Sequence, residues 1–110
     1  MRLPNGEQAF IPREKLVHYL LSEQHPSGQA KARFFRSLGF DVTHADLLAQ
    51  QLLTLAQEAE DAVESHSLHG QKYSLIGTIT GRHGRSALVQ TIWIIEPGDD
   101  RPRLVTAYPA

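Results

Sequence analysis

Residues 73–95 read YSLIGTITGRHGRSALVQTIWII, and this stretch decides the fold. Tyr73, Leu75, Gly77 and Ile79 alternate with Ser74, Ile76, Thr78 and Thr80, the period of two that a half-buried strand requires. Gly81-Arg82-His83-Gly84 interrupts the alternation, and a second strand-like run follows from Arg85 to Glu96, so the spacing predicts a β-hairpin. The second arm is β-branched and apolar on both faces near its end, as expected of a central strand under helices. Pro97 to Pro102 is turn chemistry, and Arg103 to Tyr108 makes a last strand closed by Pro109.

Upstream of Gly70 the period is helical. Pro12 suits a first helical position, and Leu16, Val17, Leu20 and Leu21 recur as one apolar face of a helix ending near Ser22. His25-Pro26-Ser27-Gly28 breaks the chain. A second helix, N-capped by Ser27, runs through Ala32, Phe35 and Leu38 to Gly39. Thr43 with Asp46 resembles a capping box opening a third helix. Its stripe is Leu48, Leu52, Leu55 and Ala59, widened by Leu47 and Leu53, and it frays between Glu60 and Ser67. Ala9-Phe10-Ile11 is a short strand or extended lead-in, and Phe10, Phe34, Phe35 and Trp93 are assigned to the core. The expected fold is α+β, three N-terminal helices on one face of a three- to four-stranded antiparallel sheet.

The 110 residues suffice for one domain, 1–110, with a modest core. With no cysteine, disulfides, thiolate nucleophiles and Cys-ligated metals are excluded. No apolar run is long enough to span a bilayer and no secretory signal opens the chain, so a soluble, cytoplasmic protein is expected. The net charge of −1 conceals an asymmetry. Every Lys and Arg lies outside residues 37–71, which hold Asp41, Asp46, Glu58, Glu60, Asp61 and Glu64; the rest carries 11 basic against 6 acidic residues. Lys31, Arg33, Arg36, Arg82, Arg85, Arg101 and Arg103 are candidates for one phosphate-holding patch if the hairpin and last strand share an edge. The acidic third helix is an alternative docking face for a basic partner.

Six histidines raise the question of metal binding. His66 and His69 stand at i, i+3 and His83 on the hairpin turn, but no HExxH-type helix occurs, so these read as exposed loop residues and no metal or other cofactor is expected. His18 belongs at the border of the first helix, and His44 has no clear role. His25, just before the second helix, reads on its own as part of a turn; the alternative is a neutral general base, with Lys31 further along to stabilise an anion at the same helix end.

Leu3-Pro4-Asn5, His25-Pro26 with Gly28, Lys31-Ala32-Arg33-Phe34-Phe35, Leu38-Gly39, Tyr73, Gly81, Gly84-Arg85, Trp93-Ile94-Ile95 and the terminal Pro102-Arg103-Leu104-Val105-Thr106-Ala107-Tyr108-Pro109 together resemble a small bacterial family classed only as a domain of unknown function. Its members stand alone or form the C-terminal module of toxin-like proteins. The order of elements is also similar to the barnase, EndoU, colicin and RelE superfold of metal-independent ribonucleases. That resemblance implies attack of a ribose 2′-hydroxyl on its own phosphate. It also implies RNA as substrate and a small cognate antitoxin or immunity protein as partner. Carried over, the catalytic candidates are His25 as base, Lys31, Arg103 and Tyr108. Arg33, Arg85 and Thr106 are the substrate-binding candidates, and Tyr108 either serves as acid or stacking platform or closes the core with its hydroxyl at the rim. Thr106 and Tyr108 share a strand face that Arg103 joins only if the strand begins irregularly. A non-enzymatic interaction module using the basic face or the acidic helix is the alternative.

Overall fold

A computed structural model describes residues 1–22 and 29–110, and the sheet is its organising element. Four antiparallel strands, β1 (Val63–Ser67), β2 (Gly70–Thr80), β3 (Ser86–Ile95) and β4 (Arg103–Pro109), lie side by side in chain order. The expected hairpin is β2–β3: Tyr73 opposes Trp93, Thr80 opposes Ser86, and the Gly81 N–H donates to the Arg85 carbonyl at 2.6 Å. The segment expected to fray from the third helix instead contains β1. Its sequence VESHS has no apolar alternation, and four of its five residues are exposed, so no hydrophobic period marks it as a strand. It is held through main-chain pairing with β2 and by Ser67 Oγ donating to the Gly70 carbonyl at 2.7 Å. The lead-in is also partly paired, through a parallel bridge between Phe10 and Arg103.

Three helices cover one face. Helix α1 (Arg13–Lys15) runs into a π-helical turn (Leu16–Leu20), in which the Leu21 N–H bonds the Leu16 carbonyl five residues back. That spacing lets Leu16, Leu20 and Leu21 all reach the core. Helix α2 (Gln29–Ser37) buries Ala32 and Phe35, and Gly39 follows it at φ 90°. Helix α3 (Ala45–Glu58) buries Leu48, Leu52, Leu55 and Ala56, while Leu47, expected in the stripe, is 43% exposed. The N-cap expected at Ser27, with His25, lies outside the described residues.

The capping box at Thr43 and Asp46 is not formed. Asp41 instead caps the 3-10 turn Val42–His44 that leads into α3: its carboxylate accepts from the Thr43 N–H and hydroxyl and lies 2.6 Å from His44 Nδ1, whereas Asp46 pairs with Arg13.

Tyr73, Leu75, Ile79, Val89, Trp93, Leu104 and Ala107 line the covered face with the helix leucines. Phe35 and Trp93 are fully buried, as expected, but Phe34 and Phe10 lie only partly so at the rim. Thr91 is polar and fully buried; it accepts from the Trp93 indole N–H at 2.8 Å and donates to the Leu75 carbonyl at 3.4 Å. The hairpin's end touches α2 so closely that a methyl on Gly81 would lie 2.0 Å from the Leu38 carbonyl oxygen.

Two outcomes follow from this packing. Gly81→Ala, which forces backbone apart, costs about 2–3 kcal/mol. Gly98→Ala adds a methyl that meets nothing and costs about 1 kcal/mol from its left-handed backbone alone; urea unfolding of the two variants checks the order. Hydrogen bonds from Thr43, then His44, lower the Asp41 carboxyl from its ordinary 3.8 to about 2. The stabilisation this gives is complete above pH 4 and disappears as pH falls to about 2. Asp41→Asn therefore makes the acid limb of the stability–pH curve shallower, as thermal melts across that range would record.

Candidate functional site

Near the middle of β4 the side chains depart from simple alternation. Leu104 opposes Trp93 and Ala107 opposes Thr91, so two residues three apart both face the core. One extra residue must be absorbed, and a bulge between Ile92 and Trp93 in the pairing does so. As a result Arg103, Thr106 and Tyr108 oppose Ile94, Ile92 and Gln90, alternate residues of β3, and lie on one face. The departure from alternation that this convergence required comes from that bulge inside β4, not from the strand's first residue.

Helices α1 and α2 both approach β4, and with Tyr19 of the π-helical turn they bring three further groups to it. Lys31 Nζ donates to the Tyr19 hydroxyl at 2.7 Å, and Lys15 Nζ lies 4.9 Å from the Tyr19 ring centre. Lys31 is 4.8 Å from the same ring centre, but its short contact to the oxygen makes it a hydroxyl partner rather than a ring-face cation. Thr106 Oγ1 is buried without a well-formed hydrogen bond, yet close enough to the Tyr19 hydroxyl to favour its ionised form. The two hydroxyls are thus neighbours without a formed bond. The Lys31 hydrogen bond, opposed by burial and aided by Thr106 and the charges of Lys31 and Lys15, holds the Tyr19 phenol below its ordinary 10.0. Because an ammonium only donates, the Tyr19 oxygen accepts from Lys31 and its own proton is directed elsewhere. Neither lysine has a carboxylate partner among the described residues.

The other sequence candidates are dispersed. Arg103 Nε donates to Glu96 at 2.8 Å, and its charge is largely answered. Arg101, paired with Asp99, sits 4.4 Å above the Phe10 ring. Arg82 and Arg85 donate to the Gly39 and Ser37 carbonyls, where the C-terminal end of α2 favours a cation, and so fasten the hairpin. From the Ser86 end of β3 to the Ile94 level of Arg103, eight residues at about 3.3 Å each make about 26 Å, so Arg85 and Arg103 do not clamp one phosphate. The single basic patch is not formed. Arg33 is exposed on α2, Tyr108 is partly buried on the open sheet face, and His25 lies outside the described residues. The cluster contains Lys31 and Thr106, which were sequence candidates, and Lys15 and Tyr19, which were not. The available signal was Lys15 and Tyr19 at i, i+4, one turn apart on a helix.

A hollow of about 480 Å³ is lined by Val17, His18, Leu21, Ser22, Arg36, Asp41, Val42 and Thr43; of the sequence candidates it takes in Arg36 alone. Its one carboxylate, Asp41, is engaged by Thr43 and His44. Among the described residues no three His, Asp or Glu side chains gather to hold a metal ion. None of the described helices is long and apolar enough to cross a membrane.

A family model described as a domain of unknown function (DUF6883) matches residues 2–110. No curated protein matches the chain. Among solved structures, the chain resembles one in a contact-dependent growth inhibition toxin–immunity protein complex from Klebsiella pneumoniae 342. The TM-score is 0.74 at 12% identity, over 94% of this chain and 95% of that one. At that identity the likeness concerns the fold.

The tyrosines report on this cluster. Tyr73 titrates above its ordinary value because of burial and then Glu64, whereas Tyr19 titrates below it. Lys31→Met raises the Tyr19 midpoint and leaves Tyr73 unmoved, as ultraviolet phenolate titration with a Tyr19→Phe control would reveal; an unchanged Tyr19 would rule out the contact.

Proposed function

The chain belongs to the DUF6883 family, and for it we propose a metal-independent endoribonuclease of bacterial toxin type, held in check by a small cognate protein. The observation carrying this reading is the Tyr19 hydroxyl, acidified by Lys31 at 2.7 Å and flanked by a second cation, Lys15, that has no carboxylate partner among the described residues. Cleavage by a ribose 2′-hydroxyl needs one group to take the 2′ proton, another to protonate the departing 5′-oxygen, and cations for the extra charge on phosphorus. In this reading Lys31 and Lys15 stabilise the phosphorane. Tyr19, its proton directed away from Lys31, donates to the leaving oxygen. Thr106 supplies a second hydroxyl at the same point, and Tyr108, on the same face of β4, offers a ring for a base to stack on. His25 is proposed as the base. Arg33 contributes field from α2, while Arg103, occupied by Glu96, orders the start of β4. The likeness to a chain of a toxin–immunity complex supports the toxin and partner parts of the reading.

A second reading, a non-enzymatic interaction module, is favoured by the ion-paired state of Arg101 and Arg103, which leaves less cationic surface than the sequence count suggests.

Incubating the protein with total RNA and with tRNA in EDTA separates the two. The enzyme reading expects cleavage to cyclic-phosphate ends, a growth defect on expression, and a loss of about 10²–10³-fold for Lys31→Ala and Tyr19→Phe, the size seen for removal of one preorganised donor. Intact RNA at high protein, with normal growth, sinks it.

A further inference from the structure

The edge of β2 beyond Ser74 has no strand beside it. β1 pairs only with residues 70–74, and the chain before Val63 turns away, the Ala62 N–H donating to the Met1 carbonyl at 2.8 Å. The Gly81–Arg85 bond sets the ladder's parity: odd residues of β2 bond to β3, and even residues present N–H and C=O to the opposite side. Thr80 N–H is satisfied there by Gln51 Oε1 at 2.9 Å. Among the described residues, Ile76 and Thr78 have no partner for either main-chain group on that side. The two residues line a groove of about 200 Å³ with Gly77 and the α3 residues Leu55, Glu58 and Ala59. A second feature surrounds it. Ile76 and Val63 are 55% and 64% exposed, and Glu58, Glu60, Asp61 and Glu64 are exposed with no cationic partner among the described residues.

We propose that the open edge of β2 at Ile76–Thr78 is a docking site for an extended segment of a partner protein in which lysines or arginines alternate with apolar residues. An added strand satisfies the four unpaired main-chain groups and places one side-chain row against Ile76 and Val63. The basic residues meet the acidic rim, which repels both a nucleic acid and the same acidic rim of a second copy. The inference does not depend on the ribonuclease reading, since the lysines around Tyr19 take no part in it.

The test uses the ¹⁵N-labelled full chain with a blocked Lys-Val-Lys-Val-Lys-Val peptide and its Glu-for-Lys counterpart. The lysine peptide slows hydrogen exchange of the Ile76 and Thr78 amides by about tenfold, the protection of one net hydrogen bond, and the glutamate peptide does not. Thr78→Pro removes an N–H that β3 does not use and abolishes the effect. A triple charge reversal at Glu58, Glu60 and Asp61, all on the surface, abolishes it without touching the sheet and decides the matter if the proline variant misfolds. The proposal is overturned if neither amide is protected, if both peptides protect equally, or if a folded Thr78→Pro variant still binds. Slow exchange at these amides without peptide, in a chain that sediments as a dimer, overturns it by assigning the edge to a second copy.

Discussion

The Trp93 indole is wholly buried, and its N–H must find an acceptor there; it finds Thr91, two residues back on the same strand face. That one hydrogen bond commits β3 to a single orientation. With Trp93 and Thr91 toward the helices, Gln90, Ile92 and Ile94 take the opposite face, and the hydroxyl in turn reaches the Leu75 carbonyl of β2. A one-residue slip would turn the indole to solvent and bury Gln90 in its stead, which is why the register is strongly specified.

The same commitment dictates β4. Leu104 and Ala107 must fill the space opposite Trp93 and Thr91, and only a bulge lets residues three apart share a face. The bulge puts Arg103, Thr106 and Tyr108 in register with alternate residues of β3 and leaves the Thr106 hydroxyl buried beside Tyr19 without a formed bond. A buried polar group without a partner is uncommon and costly. Here it borders an acidified phenol and two lysines that have no carboxylate partner among the described residues, so the core's demands on packing and the chemistry of the candidate site meet at the same strand.

Charge is distributed with comparable economy. Three of the arginines counted toward a cationic excess are matched in space by carboxylates, Arg13 by Asp46, Arg101 by Asp99 and Arg103 by Glu96, and two more fasten the hairpin to the end of α2. Among the described residues, the groups without an opposite charge include Lys15 and Lys31 near β4 and the acidic group beside β2, at opposite edges of the sheet. One edge suits an anion, and the other suits a cationic chain.

Residue order alone determined the α+β architecture, the β2–β3 hairpin and the last strand, because hydrophobic period and turn chemistry are local and survive without a fold. Lys31 and Thr106 were also legible as candidates, through residue type and position. Tertiary structure alone decided the rest. β1 carries no apolar alternation and exists through main-chain pairing, which composition does not encode. Tyr19 and Lys15 entered the site because a π-helical turn and a neighbouring helix deliver them to a strand far along the chain. Arg85 left it because eight residues of extended strand hold it away from Arg103. Periodicity reports which face a residue takes; only packing sets the distance between two faces, and chemistry depends on that distance.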